Sequence, residues 1–299
     1  MKMLLNTVFI RLGEKFKTGS FIWKFLQRMR IIIKKDGIKN IRIVKKNSSL
    51  INIYKGKRCF VVGNGPSLND VDFSLLENEY VFTVNMLMDH PDFYKLKSNY
   101  HVIADAAIFN GDPTVGLEDN YLLNKFKKLK ECQDLILFAP LEAKKAIEDI
   151  QLDKELDIKY FAMALGSKKI TDIDITSVLP SFNKVVHYAI GIALNLGFDE
   201  IYLLGCEETS ILTCINLKLD GSTNNDHCYS DSNVVKDSWR KQVETKGMAW
   251  EYRQEAKVLD NYREIFDYCR LKNVKICNLT KRSLIDSIPQ INIEDVLQE

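Results

Sequence analysis

The chain has 299 residues, 46% hydrophobic and 27% charged, which excludes a disordered, collagenous or disulfide-scaffold protein and allows a substantial core. Net charge is only +2, yet residues 1–58 hold 16 Lys/Arg against 2 Asp/Glu, so a basic arm precedes an acidic body. The seven cysteines are scattered, odd in number and without a Cys-x-x-Cys pair, which reads as reduced core thiols in a cytoplasmic protein and argues against a structural zinc site.

In the arm, Met3 to Ile10 is short and interrupted by Arg11, unlike a signal peptide. No apolar run approaches the length of a membrane span. From Phe21 to Ile33, Ile22, Phe25, Leu26, Met29 and Ile33 follow helical spacing, Lys24, Arg28, Lys34 and Lys35 fall mostly on other faces, and Trp23 adds an interfacial side chain. This is the pattern of a helix lying on an anionic membrane. A helix docked on the chain's own acidic body is the competing reading. Neither an aromatic platform nor a recognised motif accompanies the charge, so nucleic acid is not an expected partner. The expected organisation is an arm at 1–50 and a catalytic or binding domain at 51–299.

The domain opens on Cys59 to Val62, an apolar run suited to a buried parallel strand, followed by Gly63-Asn64-Gly65-Pro66-Ser67. Two glycines permit a sharp turn and close backbone approach, and Pro66 and Ser67 suit the first turn of a helix. Strand, glycine turn and helix start can place N–H groups against a phosphate, although a plain tight turn has the same sequence. The turn is neither Gly-x-Gly-x-x-Gly nor a P-loop. Tyr80 to Val84 reads as the second strand, ending at Asn85, and Tyr100 to Ala104 as the third, ending at Asp105. In open α/β sheets ligands bind beyond the carboxyl ends of strands, so Asn64, Asn85 and Asp105 are expected to share a crevice. Asn85 and Asp105 also suit turns and caps. The fold expected is α/β: a Rossmann-like, mostly parallel sheet with helices on both faces.

Further along, Asn120 to Lys130 reads as a surface helix, Asp134 to Ala139 as a strand and Leu141 to Ile150 as a helix. Residues 151–182 alternate weakly and are expected to form an acceptor-side lid. Asn183 to Leu196 is a helix closed by Gly197, with His187 in its first turns reading as a core histidine before a ligand contact. Glu200 to Cys206 is a buried strand ending at Glu207 and Glu208. A second lid is expected at 209–247, containing the polar loop from Leu217 to Val234 with Asp226, His227 and Tyr229. Trp250 to Leu271 reads as a long helix and Val274 to Cys277 as the last strand.

Val61-Val62-Gly63-Asn64-Gly65-Pro66-Ser67-Leu68, Asn85 after a strand, and the run from Ala189 to Gly205 resemble two related groups. These are the family-42 bacterial sialyltransferases and the motility-accessory-factor and 6-hydroxymethylpterin-diphosphokinase-like domains. Asn278 to Leu284 is similar to the same set, and the resemblance covers about two thirds of the chain in separated blocks. It implies that Asn64, Gly65, Ser67 and Asn85 contact a CMP-activated sugar donor, with Gly63 and Pro66 shaping the turn. It also implies a histidine base in the polar loop, where His227 stands. Gly205-Cys206-Glu207-Glu208-Thr209 departs from the sialyltransferase Gly-Ile-Asp-Phe-Tyr block, which leaves the sugar open. On the residues themselves, Asp226 could orient His227, Tyr229 could donate to the phosphate, and Asp105 and Glu207 stand at strand ends on the donor side. A metal cluster of Asp226, His227, Glu207 and Glu208 lacks helical His/carboxylate spacing.

The expected activity is thus a metal-independent glycosyltransferase of bacterial surface-glycan (lipopolysaccharide or capsule) biosynthesis, needing no cofactor beyond its CMP-sugar donor. The acceptor is a glycan or glycolipid, the location peripheral on the inner face of the cytoplasmic membrane, and a homo-oligomer is compatible with all of this. The alternatives are a pterin diphosphokinase using ATP and magnesium, and a membrane-docked nucleotide-binding protein without catalysis.

Overall fold

The computed structural model describes residues 2–34, 36–110, 126–132, 134–166, 169–222, 227–229 and 233–298. Its centre is one sheet, all parallel, built from β1 (Arg58–Val62), β2 (Tyr80–Val84), β3 (Tyr100–Val102), β4 (Ile136–Pro140), β5 (Asp157–Met163), β6 (Val178–Leu179), β7 (Glu200–Leu204) and β8 (Lys275–Asn278). The spatial order is β6-β5-β4-β3-β2-β1-β7-β8. The chain therefore runs outward from β1 to β6, then returns to pair β7 on the other flank of β1. That reversal is the topological switch point of a doubly wound, Rossmann-like α/β fold.

The strands are buried on both faces, and their alternating side chains feed two cores. Cys59 and Val61 face one core with Phe82, Val84 and Ile201, whereas Phe60 and Val62 face the other with Val81, Tyr202 and Leu204. The longer helices are α1 (Lys2–Gly13), α2 (Phe21–Ile32), α3 (Gly37–Lys45), α6 (Val185–Leu196), α7 (Ser210–Leu219), α8 (Asn233–Lys246) and α9 (Met248–Lys272). Shorter ones are α4 (Ala107–Asn110), α5 (Lys144–Asp149) and α10 (Ile293–Leu297). Helices α6 and α9 cover the first core through Ala189, Ile190, Ala193, Tyr262 and Ile265. Gly197 ends α6 at φ 88°, a left-handed conformation that favours glycine.

Two expectations are corrected. Residues 151–182 are not a lid: they hold β5 and β6, the edge of the sheet. Their alternation is weak because only the middle of β5, Tyr160 to Ala162, is fully buried. In 209–247, helices α7 and α8 occupy most of the second expected lid and shorten the polar loop. Most of the helix expected at Asn120–Lys130 lies outside the described residues.

The arm packs on β5 and β6. Trp23, Ile31 and Val44 join Ala162, Ala164 and Val178 in a third core. Asn47 donates to the carbonyls of Tyr160 (2.9 Å) and Ile175 (3.0 Å), and Thr18 N–H donates to Lys169 O (2.9 Å). Arg30 is buried: its guanidinium donates to Met163 O and, through Nε, to Gln27 Oε1 (3.1 Å). Burial lowers its pKa from the ordinary arginine value. The apolar stripe read from the sequence is thus split, because Leu26 faces the protein whereas Ile22 and Phe25 face outward.

Candidate functional site

At the switch point the turns after β1 and β7 lie against each other. Gly63 N–H donates to Leu204 O (2.8 Å) and Gly65 N–H to Gly205 O (2.9 Å). A Cβ on Gly63 would stand 2.4 Å from Gly205 O, so the two turns approach more closely than any side chain allows. Thr280 Oγ1 accepts from Cys206 N–H (2.9 Å), Ser283 Oγ donates to Cys206 O (2.7 Å), and Leu284 N–H donates to Glu207 O (2.8 Å). The segment after β8 thereby fixes the turn after β7.

The resulting cavity, about 170 Å³, is lined from four directions: Asn64 and Gly65 after β1, Val84 and Asn85 at the end of β2, Gly205 to Ser210 after β7, and Lys184 to Val186 at the start of α6. His227 completes the lining. Of the expected site residues, Asn64, Gly65, Asn85, Glu207 and His227 reach this cavity. Gly63, Pro66, Ser67, Asp105 and Tyr229 are not among its lining residues. Gly63 packs behind the turn. Asp105 is exposed and its carbonyl accepts from Ile108 N–H (3.2 Å), a role in starting α4. Asp226 lies outside the described residues.

Ser67 is the main departure. Its N–H, expected to face a phosphate, donates to Glu207 Oε1 at 2.6 Å. The pair lies against Gly65, where a Cβ would fall 1.4 Å from Glu207 Oε2. Gly65 has φ −66°, ordinary for any residue, so it is the side chain of Glu207, and not the backbone conformation, that occupies the space a Cβ would take. Glu207 is 7% exposed, and its Oε2 is buried without a partner. The anion position at the glycine turn is filled by the chain's own carboxylate, and its second oxygen is left to accept a hydrogen bond.

Asn85 is held differently. Its φ is 45°, left-handed, which asparagine tolerates. His101 Nε2 donates to Asn85 O (2.8 Å), which fixes the tautomer, and Nδ1 accepts from the Thr83 hydroxyl (2.8 Å). Burial lowers the His101 pKa to about 4, so the ring is neutral. The backbone of Asn85 is thus anchored while its side-chain Oδ1 is buried without a partner. The Asn64 amide, turned with its nitrogen toward Gly63 O and Val84 O, donates to both at 3.1 Å and joins the ends of β1 and β2.

The third group is cationic. Lys184 Nζ is 3.4 Å from Glu208 Oε2 and 3.4 Å from Ser210 Oγ, beside the start of α7. Tyr262 donates to Glu208 Oε1 (2.7 Å), and Ser210 donates to Glu255 Oε1 (3.1 Å). The sequence reading missed Lys184. It precedes a strong helix by one residue, and nothing local says that this end of α6 meets the turn after β7.

His227 sits in a short segment fastened to the glycine turn. Cys228 N–H donates to Asn64 O (2.8 Å), the Tyr229 hydroxyl is 3.5 Å from the Asn64 amide, and the His227 and Tyr229 rings stack at 5.0 Å. His187 is fully buried against Tyr262 (ring centroids 4.2 Å), as a core histidine, but neither ring nitrogen has a hydrogen-bond partner. Burial, with Lys184 adding to it, lowers its pKa to about 3. Among the described residues no group of three or more His, Cys, Asp or Glu is placed to hold a metal ion.

No protein-family model and no curated protein matches the chain. Its structural neighbours are sialyltransferases. One is the sialyltransferase CstII from Campylobacter jejuni in complex with cytidine-5'-monophosphate, at 14% identity, covering 79% of this chain and 85% of that one, TM-score 0.41. Another is the same type of enzyme, CST-II, in complex with a trisaccharide acceptor and CMP, at 14% identity, covering 79% and 86%, TM-score 0.42.

Proposed function

We propose that the protein is a glycosyltransferase of surface-glycan biosynthesis that takes a CMP-activated sugar, sialic acid or a relative, in the switch-point cavity without a metal. The observation that carries this reading is the meeting of four unlike groups around one cavity: Asn85 Oδ1 and Glu207 Oε2, both buried and unpartnered, with Lys184 and His227.

Each has a task in sugar transfer. Asn85, with its backbone anchored, presents an acceptor oxygen to a base or ribose donor group. Lys184 and Ser210 stand where the leaving phosphate could be stabilised at the start of α7, since the Ser67 N–H is occupied by Glu207. His227 takes the proton of the acceptor hydroxyl as general base. Glu207 Oε2 accepts from a sugar hydroxyl and orients it. The sialyltransferase-like turn sequence supports the cytidine choice. A membrane-linked acceptor would place the enzyme peripherally at the cytoplasmic face.

Calorimetry of the full chain with CMP, UDP and ATP, each with and without EDTA, tests the reading. The expected result is CMP binding that EDTA leaves unchanged. Binding of ATP alone, dependent on magnesium, would replace sugar transfer with pyrophosphoryl transfer of the diphosphokinase type. Release of CMP from CMP-sialic acid on adding glycan acceptors then reads turnover.

A further inference from the structure

The exposed large apolar side chains are unevenly placed. Of the seventeen exposed large apolar side chains among the described residues, eight fall in the 50-residue arm, Phe21 at 85% and Ile38 at 61% exposure among them. On α2, Phe21, Phe25, Arg28 and Ile32 recur at spacings of four, three and four, a single outward face. The opposite face carries Trp23, Leu26, Arg30 and Ile31 into the protein. An amphipathic helix needs one apolar face to dock, and α2 has two.

The outward face continues into a cavity of about 360 Å³ between α2, α3 and β6. Its lining includes Ile31 and Val44, both buried, with Arg28 and Lys45, both exposed. Ser177, also in the lining, has a buried hydroxyl without a partner. Arg28, Arg42, Lys45 and Lys46 are exposed and form no ion pair among the described residues, whereas Lys24 and Lys34 are paired to Asp172 and Glu142. Uncompensated cations beside exposed aromatic and branched side chains match one kind of surface, an interface that is anionic outside and apolar beneath.

We infer that the outward face of α2, with the α2–α3 cavity, docks on an anionic phospholipid bilayer. Phe21 and Phe25 enter the acyl boundary, and Arg28 and Lys45 hold a phosphate-bearing headgroup over the cavity. This deepens the peripheral attachment proposed above by naming the face that makes it, and it is independent of the transfer chemistry. Among the described residues no helix is long and apolar enough to cross a membrane, so this contact is one of lying on the bilayer. Charge complementarity selects the bilayer over a second copy of the chain, whose matching face would carry the same cations.

Co-flotation of the full chain with vesicles tests it. Phosphatidylcholine vesicles containing phosphatidylglycerol should carry the protein, and phosphatidylcholine alone should not. Reversing Arg28 and Lys45 together to Glu should lower vesicle affinity on the order of 10–100-fold, with the wild-type affinity falling as salt rises. Phe21→Ser with Phe25→Ser should lower it by a similar factor. All four side chains are exposed, and unchanged melting would confirm that the variants fold. Lys241→Glu with Lys257→Glu changes net charge equally on other helices and should have little effect. Equal loss in that control, equal binding to neutral vesicles, or self-association through Phe21 and Phe25 in sedimentation would each overturn the inference. CMP affinity in the same variants separates this outcome from the fate of the transferase reading.

Discussion

The switch-point cavity and the outer face of the arm are opposite in construction. In the cavity, unsatisfied groups are polar and buried: Asn85 Oδ1 and Glu207 Oε2 each lack a partner, inside turns locked by backbone hydrogen bonds. On the outer face of the arm, what lacks a partner is apolar and exposed, with cations around it. An unmet buried acceptor calls for a small ligand that supplies a donor, since leaving it dry costs on the order of 1–3 kcal/mol. An exposed apolar row calls for an extended apolar partner. The two regions also differ in tolerance. Substitutions in the cavity should alter ligand affinity, turnover or fold together, and substitutions on the outer face should alter attachment alone.

The largest expected effect on that contrast is at His227. As the base for an acceptor hydroxyl it should contribute ~10²–10⁴-fold, so His227→Ala should lower turnover by that order with CMP affinity little changed. Unimpaired turnover in the variant would pass the role to a carboxylate, with Glu207 first in line.

Next comes the response to acid. His101 and His187 are held by burial at about 4 and about 3, below the ordinary histidine value. Between that ordinary value and those pKa values the unfolded chain binds more protons than the folded one. Stability is therefore full above about pH 6.5 and falls as pH drops through that window. Urea unfolding should show a loss of about 3–4 kcal/mol between about pH 7 and pH 5. His187→Phe should remove about half of that loss and leave turnover intact, because its ring makes packing contacts and no hydrogen bond. Lost turnover in a stably folded His187→Phe would move His187 into the chemistry.

Gly65→Ala should cost about 2–3 kcal/mol through overpacking against Glu207. The same change made on a Glu207→Ala background should cost little, a coupling measured by a double-mutant cycle in urea. Equal cost on both backgrounds would mean that the turn, and not the carboxylate, excludes a side chain. The smallest effect is expected at Asn85→Ala, which should weaken CMP binding by about tenfold, or about 1.4 kcal/mol, by calorimetry. Unchanged affinity would take its Oδ1 out of the donor contacts.

Much of this was legible in the chain. The apolar runs at Cys59 to Val62, Tyr80 to Val84 and Glu200 to Leu204, each closed by a turn residue, determine central parallel strands, since both of their faces must be buried. Gly197 determines where α6 stops, and the odd, scattered cysteines determine free thiols, mostly buried. Local chemistry also places Asn64 and Asn85 at strand ends. It does not determine what stands opposite them. That the carboxylate meeting Ser67 N–H comes from Glu207, 140 residues away, depends on β7 pairing with β1 across the switch point. The same pairing brings Lys184 in and leaves Asp105 out. For α2, periodicity fixed a helix but could not say which side of it faces inward. Both sides are apolar, and only packing on β5 and β6 chose Trp23, Leu26 and Ile31 for the interior. Strands and turns follow from neighbouring residues, whereas partners across the sheet follow from strand order, which no local stretch encodes.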